Sequence, residues 1–477
     1  MTRTHRPWTA AAAALGAALA LTSPANAEPS EPSLLAANWT KGTAVTVSAG
    51  VTRTTWTEST PDNRAKARIL QVVEIDPTAG ALTLESTVGR GDGITETVAD
   101  QLATVSSVAA RRPLVGVNGG LFKSDPKHPD HVLPADDEPK ALVHLGVSAT
   151  DGVLHSAGCW MNGAGSSGAV LQYGIPYITK LRAELSLTTS TGATVGLDDI
   201  NRDPGRIRGC ARDAEDAAVT DQKGLFTDPD EIVLFTDDYE YPVPKPGIDP
   251  LITADDDPGF EVVLDADGVV TDAHEGRGGR TAAEQVHVPA GGHILQGIGT
   301  GAQWLREHLV RDDRVTLGQK LHDVTLDRDI PLDDSVDVVS SFHQLLRNDA
   351  VPDELPNSCS GTATGADGTN PICTDSRTAL GTNIKGHPVL ITLTGQDTED
   401  GDYLRTFATL LASPELALVD ALNLDGGGST TLMAVTKPLN ALTPLTPPTD
   451  TVNGVKVYRH VADAVYSGVG GYGMYAK

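Results

Sequence analysis

The pattern of apolar runs and turns predicts an α+β fold: one large domain built on a mixed β-sheet, with helices packed on it and loop insertions. Three observations carry this. Short alternating apolar segments bounded by Gly, Pro and Asp recur from Thr43 onward and read as strands. Residues 98–111, 302–310 and 403–411 have helical spacing instead. Two apolar runs, one before Asn118 and one ending at Leu424, open into glycine-rich turns, where the backbone adopts conformations that side chains forbid and another molecule can approach it closely.

The chain of 477 residues begins with Arg3 and Arg6, an Ala/Leu-rich run over 9–21, and Ala25-Asn26-Ala27. These read as a cleavable export signal over residues 1–27. The apolar run is short for a bilayer span, and no later stretch is long enough, so no stable membrane insertion is expected. Residues 28–44 read as a flexible lead-in. Loss of the signal removes two basic and no acidic residues, moving the formal charge from −27 to −29. That excess argues against nucleic acid or anionic lipid as a partner. A small anionic substrate stays open, since it needs only a local cluster of donors. Cys159, Cys210, Cys359 and Cys373 are an even number in an exported chain, and of three pairings Cys159–Cys210 with Cys359–Cys373 is the simplest by proximity. No cysteine spacing suggests a zinc site, and no nucleotide-binding fingerprint appears.

In order, residues 44–51, 67–75 and 81–88 read as strands, with turns at Asp76-Pro77 and 89–93. Pro113 ends the first helix, and residues 114–117 form a buried strand that delivers Asn118-Gly119-Gly120-Leu121-Phe122. Residues 123–140 read as a surface loop, where His128 and His131 could bind a metal but read first as solvated histidines. Residues 169–177, 180–187 and 232–236 read as strands and 260–270 as a hairpin. Asp265 and Asp267 imitate the start of a calcium loop, but Gly268 comes two residues early, so the reading is a turn. Asp255-Asp256-Asp257 is read likewise. Strand 389–393, helix 403–411 and a strand ending at Leu424 complete the most regular third.

That last strand opens into Asp425-Gly426-Gly427-Gly428-Ser429-Thr430-Thr431. Successive amides in such a turn can form an anion-binding nest, with hydroxyl donors beside it. A carboxylate at the mouth of an anion site is costly unless it acts. The plain alternative is a hairpin loop with an Asp-Gly turn.

With these residues laid out, the chain resembles the phosphodiester glycosidase family, which includes the lysosomal uncovering enzyme and many secreted bacterial proteins. The resemblance runs from about residue 45 to the C-terminus and rests on Gly116 to Phe122, Asp199 to Arg202, Ser376 to Gly381, Asp420 to Thr431 and Arg459 to Ala464. It implies a glycosidase-like domain over 45–477, with insertions near 123–165 and 347–375. Departures stand out: Thr394-Gly395-Gln396 replaces a common Asp-Gly-Arg, residues 340–348 lack the usual glycines, and Asp463 stands where Asn is common.

The implied reaction is hydrolysis of a glycosyl-1-phosphodiester to free sugar and phosphomonoester. The catalytic candidates are Asp425, Arg377 and Asn118. Arg377 supplies a planar fork for phosphate oxygens. Asp425 is the base or nucleophile, or grips sugar hydroxyls, or merely caps its turn. Asn118 offers an amide to sugar hydroxyls. Substrate- and phosphate-binding candidates are Gly426, Gly427, Gly428, Ser429, Thr430, Thr378, Asn423, Arg202 and Arg459. A Ser-His-Asp triad lacks support, because Ser429 sits in no Gly-x-Ser-x-Gly elbow. The expected partner is a sugar-phosphate or cell-envelope glycan, and the expected location extracellular. The rival from another class is a non-catalytic envelope protein that binds glycans or phosphopolymers.

Overall fold

The computed structural model describes residues 33–470 except 60–62, 65, 80–81, 92, 106–109, 125–141, 160–165, 221, 248–250, 397, 399 and 439. The export signal, the start of the lead-in, His128 and His131 lie outside the described residues.

The chain is far richer in sheet than α+β implies, with 45% strand and 10% helix. Two sheets have eight strands and two have five. Nearly all pairing is antiparallel; among the described residues Asp199–Ile200 beside Ile232–Thr236 is the parallel exception. The expected α+β fold on a mixed sheet is thus met only roughly: several sheets, nearly all antiparallel, stand in place of one. Of the three helices expected, two are close to expectation, Gly299–His308 and Leu404–Leu411. The other ends early: Val98–Ala103 is capped by the Thr97 hydroxyl and stops before Pro113 can act.

The first eight-stranded sheet centres on Arg68–Ile75, Pro388–Gly395, Arg377–Asn383 and Leu418–Asn423. Alternation sends its side chains to two different cores. Ala379, Ile391 and Leu393 face helix Leu404–Leu411, which buries Leu404, Phe407, Ala408, Leu410 and Leu411 on one side. Leu380, Leu390, Leu422 and Leu424 face the other way, against Val115, Val117, Leu432, Ala434 and Val465 of a five-stranded sheet. With both faces covered, Pro388–Gly395 is buried along its whole length and shows no alternation of burial. Residues 425–431 cross from the first sheet to the second. The glycine loop is therefore the passage between two packed layers, at the end where Asn118 also emerges.

A separate core lies between the second eight-stranded sheet, the other five-stranded sheet and helix Gly299–His308. Residues 169–177, expected as one strand, turn back at Tyr173 and Gly174, both at positive φ, joining Ser166–Gln172 to Ile175–Thr189. Two positive-φ central residues make a primed hairpin turn. A tyrosine at that position gives no Asn-Gly signal to read.

Both expected cysteine pairs are at disulfide distance, with Cα–Cα separations of 5.8 Å for Cys159–Cys210 and 5.9 Å for Cys359–Cys373. The first is buried against Leu145 and ties together segments 51 residues apart. Unreduced peptide mapping should recover both pairs. Replacing Cys159 and Cys210 together by Ala should cost roughly 2–5 kcal/mol of stability, read as a fall in Tm.

One interlayer contact holds a buried carboxyl. Asp337, 1% exposed, accepts the Ser86 amide at 2.5 Å and the Asp151 amide at 2.7 Å. Burial, followed by the charge of Glu85, pushes its pKa up to about 8. A carboxyl whose folded pKa lies above its unfolded value near ~3.9 stabilises fully below that unfolded value. The contribution is lost as pH rises through about 8. Wild-type Tm should therefore fall between pH 5 and pH 8, over roughly that window. In Asp337→Asn the fall should be shallower, as thermal melts across the range would show.

Candidate active site

Each glycine of the loop has its own reason. A side chain at Gly426 would meet the Ser376 carbonyl at 2.6 Å, and one at Gly428 would collide with Asp450 and Arg459. Gly427 sits at φ +60, with open space where a Cβ would stand. Gly427–Ser429 forms a single 3-10 turn.

The turn brings segments together through the backbone. The Asp425 amide donates to Gly119 O at 2.9 Å, Leu424 to Thr378 O at 2.9 Å, and Gly427 to Ser376 O at 2.8 Å. Asn118 is the central tie. Its Nδ2 donates to Asp425 O at 2.8 Å, while its Oδ1 accepts from the Thr378 hydroxyl at 2.8 Å and the Thr431 amide at 3.1 Å. Asn118 and Thr378 are both 0% exposed. Asn118 is thus occupied by protein atoms rather than turned toward a sugar, and Thr378 passes a weaker contact to Thr430. Asn423 is buried and donates to Leu424 O at 2.7 Å.

The nest expected from the glycines is mostly filled. The Gly426 amide donates to Asp425 Oδ1 at 2.9 Å and that of Gly427 to Ser376. The Gly428 amide has no partner among the described residues. Burial acts most on the half-buried Asp425 carboxyl and raises its pKa to about 6. The Ser429 hydroxyl, the Gly426 amide and Arg459 hold it down, and the charge of Asp463 adds to the rise. Ser429 neighbours the carboxylate without making a hydrogen bond of ordinary geometry. A carboxyl poised near 6 exchanges a proton readily at neutral pH, as a general acid or base must.

Arg459 holds Asp450 in a bidentate pair, Nε–Oδ2 2.6 Å and Nη2–Oδ1 2.7 Å, against Gly428. Arg377 is near Asp425 by backbone, but its guanidinium turns elsewhere. Nε donates to Asp402 O at 2.7 Å and Nη2 to Ser358 O at 3.2 Å, with Asp375 at 3.6 Å. Nη1 has no partner among the described residues. The charges acting on Arg377 are Asp375 and Asp402, whereas those acting on Asp425 are Arg459 and Asp463. The structure thus joins Asn118, Thr378 and Asp425, sets Arg459 beside them, and keeps Arg377 on the adjoining strand end.

Arg202 is placed apart. It is fully buried, with Nε on Asp199 at 2.9 Å and its other nitrogens on Glu231 and the Asp203 carbonyl. Every guanidinium nitrogen is taken by protein. The placement is the structural one, which the sequence already favoured over phosphate or sugar binding for this arginine.

Several contributors escaped the sequence reading. Arg68 bridges Glu58 at 2.7 Å and Asp402 at 2.6 Å, and Arg64 donates to Gly401 O at 2.8 Å. These fix the segment whose carbonyl holds Arg377, beside Gly395 where the expected charge pair is missing. Arg68 and Asp402 lie 334 residues apart, and Arg64 and Gly401 337. Asp463 and Asp450 also went unread as site groups, although Asp463 was visible as a departure.

Three carboxylate groups among the described residues are close enough to share a cation: Glu85, Asp151 and Asp337; Asp198, Asp213 and Asp228; and Asp216, Asp228 and Glu231. None contains Asp425. Asp198 and Asp213 also line a cavity of about 430 Å³, and a second of about 750 Å³ lies beside Arg112 and Lys437. Neither cavity includes the glycine loop.

Comparison with known proteins bears out the family resemblance over part of the chain. The phosphodiester glycosidase profile matches residues 259–466, a span holding Arg377, Asp425 and Arg459 but not Asn118 or Arg202. No curated protein matches. A Burkholderia pseudomallei structure, named as an exported protein, superposes at TM-score 0.69 and 19% identity, covering 90% of this chain and 96% of that one. A hypothetical protein from Synechocystis gives 0.55 at 16% identity, over 89% of this chain and 63% of that one. At such identities these two show a shared fold alone. The catalytic domain of zebrafish N-acetylglucosamine-1-phosphodiester alpha-N-acetylglucosaminidase gives 0.34 at 13% identity, over 90% and 88%, and adds nothing to the fold assignment.

Proposed function

We propose that this protein is a secreted hydrolase of glycosyl-1-phosphodiester linkages. Water adds at the anomeric carbon, the bond from that carbon to the phosphate oxygen breaks, and free sugar and a phosphomonoester leave. The observation that carries the reading is the half-buried Asp425 carboxyl at the mouth of the glycine turn, its backbone fixed by Gly119 and Asn118 and with Arg459 packed against Gly428. Burial pushes its pKa up to about 6. Phosphate leaves without strong help from an acid, so a base or nucleophile at the sugar matters most. Asp425 takes that role. The Gly428 amide and Arg459 are the donors for phosphate oxygens beside Asp425, and Arg377, whose guanidinium lies toward Asp402 and Ser358, joins them only by turning toward the loop. Asn118 acts behind Asp425, holding its backbone.

Mature protein incubated with a panel of sugar-1-phosphodiesters should release free sugar, and Asp425→Asn should not. No release across the panel, from folded protein, refutes the reading. One observation favours the non-catalytic alternative: the amides of Gly426 and Gly427 already have protein partners, so the loop offers fewer donors than a full anion nest. Retention of a phosphodiester glycan without turnover would support that alternative.

No helix among the described residues is long and apolar enough to cross a membrane. The two cysteine pairs and the export-like first 27 residues support an extracellular location.

A further inference from the structure

Asp463 stands against the Gly119–Gly120 turn to which the Asp425 backbone is tied. Its Oδ1 accepts the Gly120 amide at 2.7 Å, and its main-chain oxygen accepts the Gly119 amide at 2.8 Å. The Gly119 carbonyl in turn accepts the Asp425 amide at 2.9 Å. Asp463 is 2% exposed, and a side chain at Gly119 would run into its carboxyl. The turn is therefore built around this carboxylate.

We propose that Asp463 is a positioning residue for Asp425: it seats the Asp425 backbone through the Gly119–Gly120 turn and sets a second negative charge opposite the acid–base group. The proposal rests on reading Asp425 as that group. An amide in place of this carboxyl would accept the Gly120 proton as well, so hydrogen bonding alone does not require the charge. What the charge adds is a bias on the Asp425 proton. Like charges brought together disfavour joint ionisation.

The other charges around Asp425 are accounted for. Arg459 opposes Asp463 and is itself paired with Asp450. On the strand side, Arg377 is engaged with Asp375 and Asp402 and acts on His343. Burial is the main cause of the raised Asp425 carboxyl, and the Asp463 charge adds to it, so removing that charge has a defined direction.

The test separates charge from support. In protein labelled with carboxyl-¹³C aspartate, the Asp425 resonance is assigned by its loss in Asp425→Asn and titrated. The wild-type midpoint should lie near 6. Asp463→Asn keeps an acceptor for Gly120 and removes the charge, so the Asp425 midpoint should move to lower pH by up to about one unit. The acid limb of the kcat/KM profile on a sugar-1-phosphodiester should move with it. Asp463→Ala removes the acceptor too and should lower kcat further than Asp463→Asn does. An unchanged midpoint in folded Asp463→Asn overturns the proposal, even where its Tm falls. If Asp463→Ala fails to fold, Asp463→Asn alone decides. Wild-type protein that releases no sugar while the midpoint still shifts would refute the proposed hydrolase and leave the coupling standing.

Discussion

Asp425→Asn is expected to lower kcat by about 10²- to 10⁴-fold, the range for losing a positioned acid or base, while melting at or above wild type at pH 7. The two halves of this result have separate causes. The local fold around residue 425 depends on its backbone, through the bonds to Gly119 and Asn118, and on one side-chain oxygen that accepts the Gly426 amide. Asn keeps all of these. What it loses is charge. Because the folded pKa of Asp425, about 6, lies above an unfolded value near ~3.9, its stabilising contribution is complete below that unfolded value and lost as pH rises through about 6. At pH 7 the ionised carboxylate weakens the fold, and Asn relieves that. Activity should fall because the carboxylate acts as the anomeric carbon becomes cationic. Kinetics with parallel melts would check both. Normal turnover by the variant would remove Asp425 from catalysis, and a Tm well below wild type would make it a structural cap.

How much of this was legible depended on range along the chain. The strand-to-glycine transitions at Asn118 and Leu424 were readable because both cause and consequence are local: apolar alternation stops and residues without side chains begin. The pairing of Cys159 with Cys210 and Cys359 with Cys373 followed from parity and proximity. The sheet-rich architecture was harder to see, since strands buried on both faces lose their alternation, and positive-φ turns such as Tyr173-Gly174 carry no common turn signature. Side-chain direction was not legible at all. Arg377 follows Ser376 into a strand whose alternate faces serve different cores, so its guanidinium passes to the Asp402 and Ser358 carbonyls while Thr378 meets Asn118. Composition does not disclose which side faces which core. Asn118 shows the same limit: an amide at a strand end can bind a sugar or hold a loop, and only its three partners decide between them.

Arg202 gives the largest expected stability effect, and it separates the two roles open to a motif arginine. Arg202→Met should destabilise the protein by about 3–5 kcal/mol, the cost of stranding buried charge. Arg202 and its partners Asp199 and Glu231 are at most 1% exposed at the side chain. Asp199 keeps Arg212, Nε–Oδ2 2.7 Å, but Glu231 would retain mainly the Gly205 amide at 2.6 Å. An unpaired carboxylate there also faces Asp198, whose pKa is already raised to about 7 by burial and then by the charge of Glu231. Methionine preserves much of the volume, so the loss would come from charge rather than from a cavity. Adding Glu231→Gln should then restore part of the stability, since the stranded charge is gone; the difference between single and double variants measures the pairing directly. A substrate-binding arginine would behave otherwise: KM would rise, Tm would hold, and Glu231→Gln would rescue nothing. With every Arg202 nitrogen held by protein and no exposed surface, the expected outcome is a fall in Tm that Glu231→Gln partly reverses, with kcat/KM per folded molecule close to wild type.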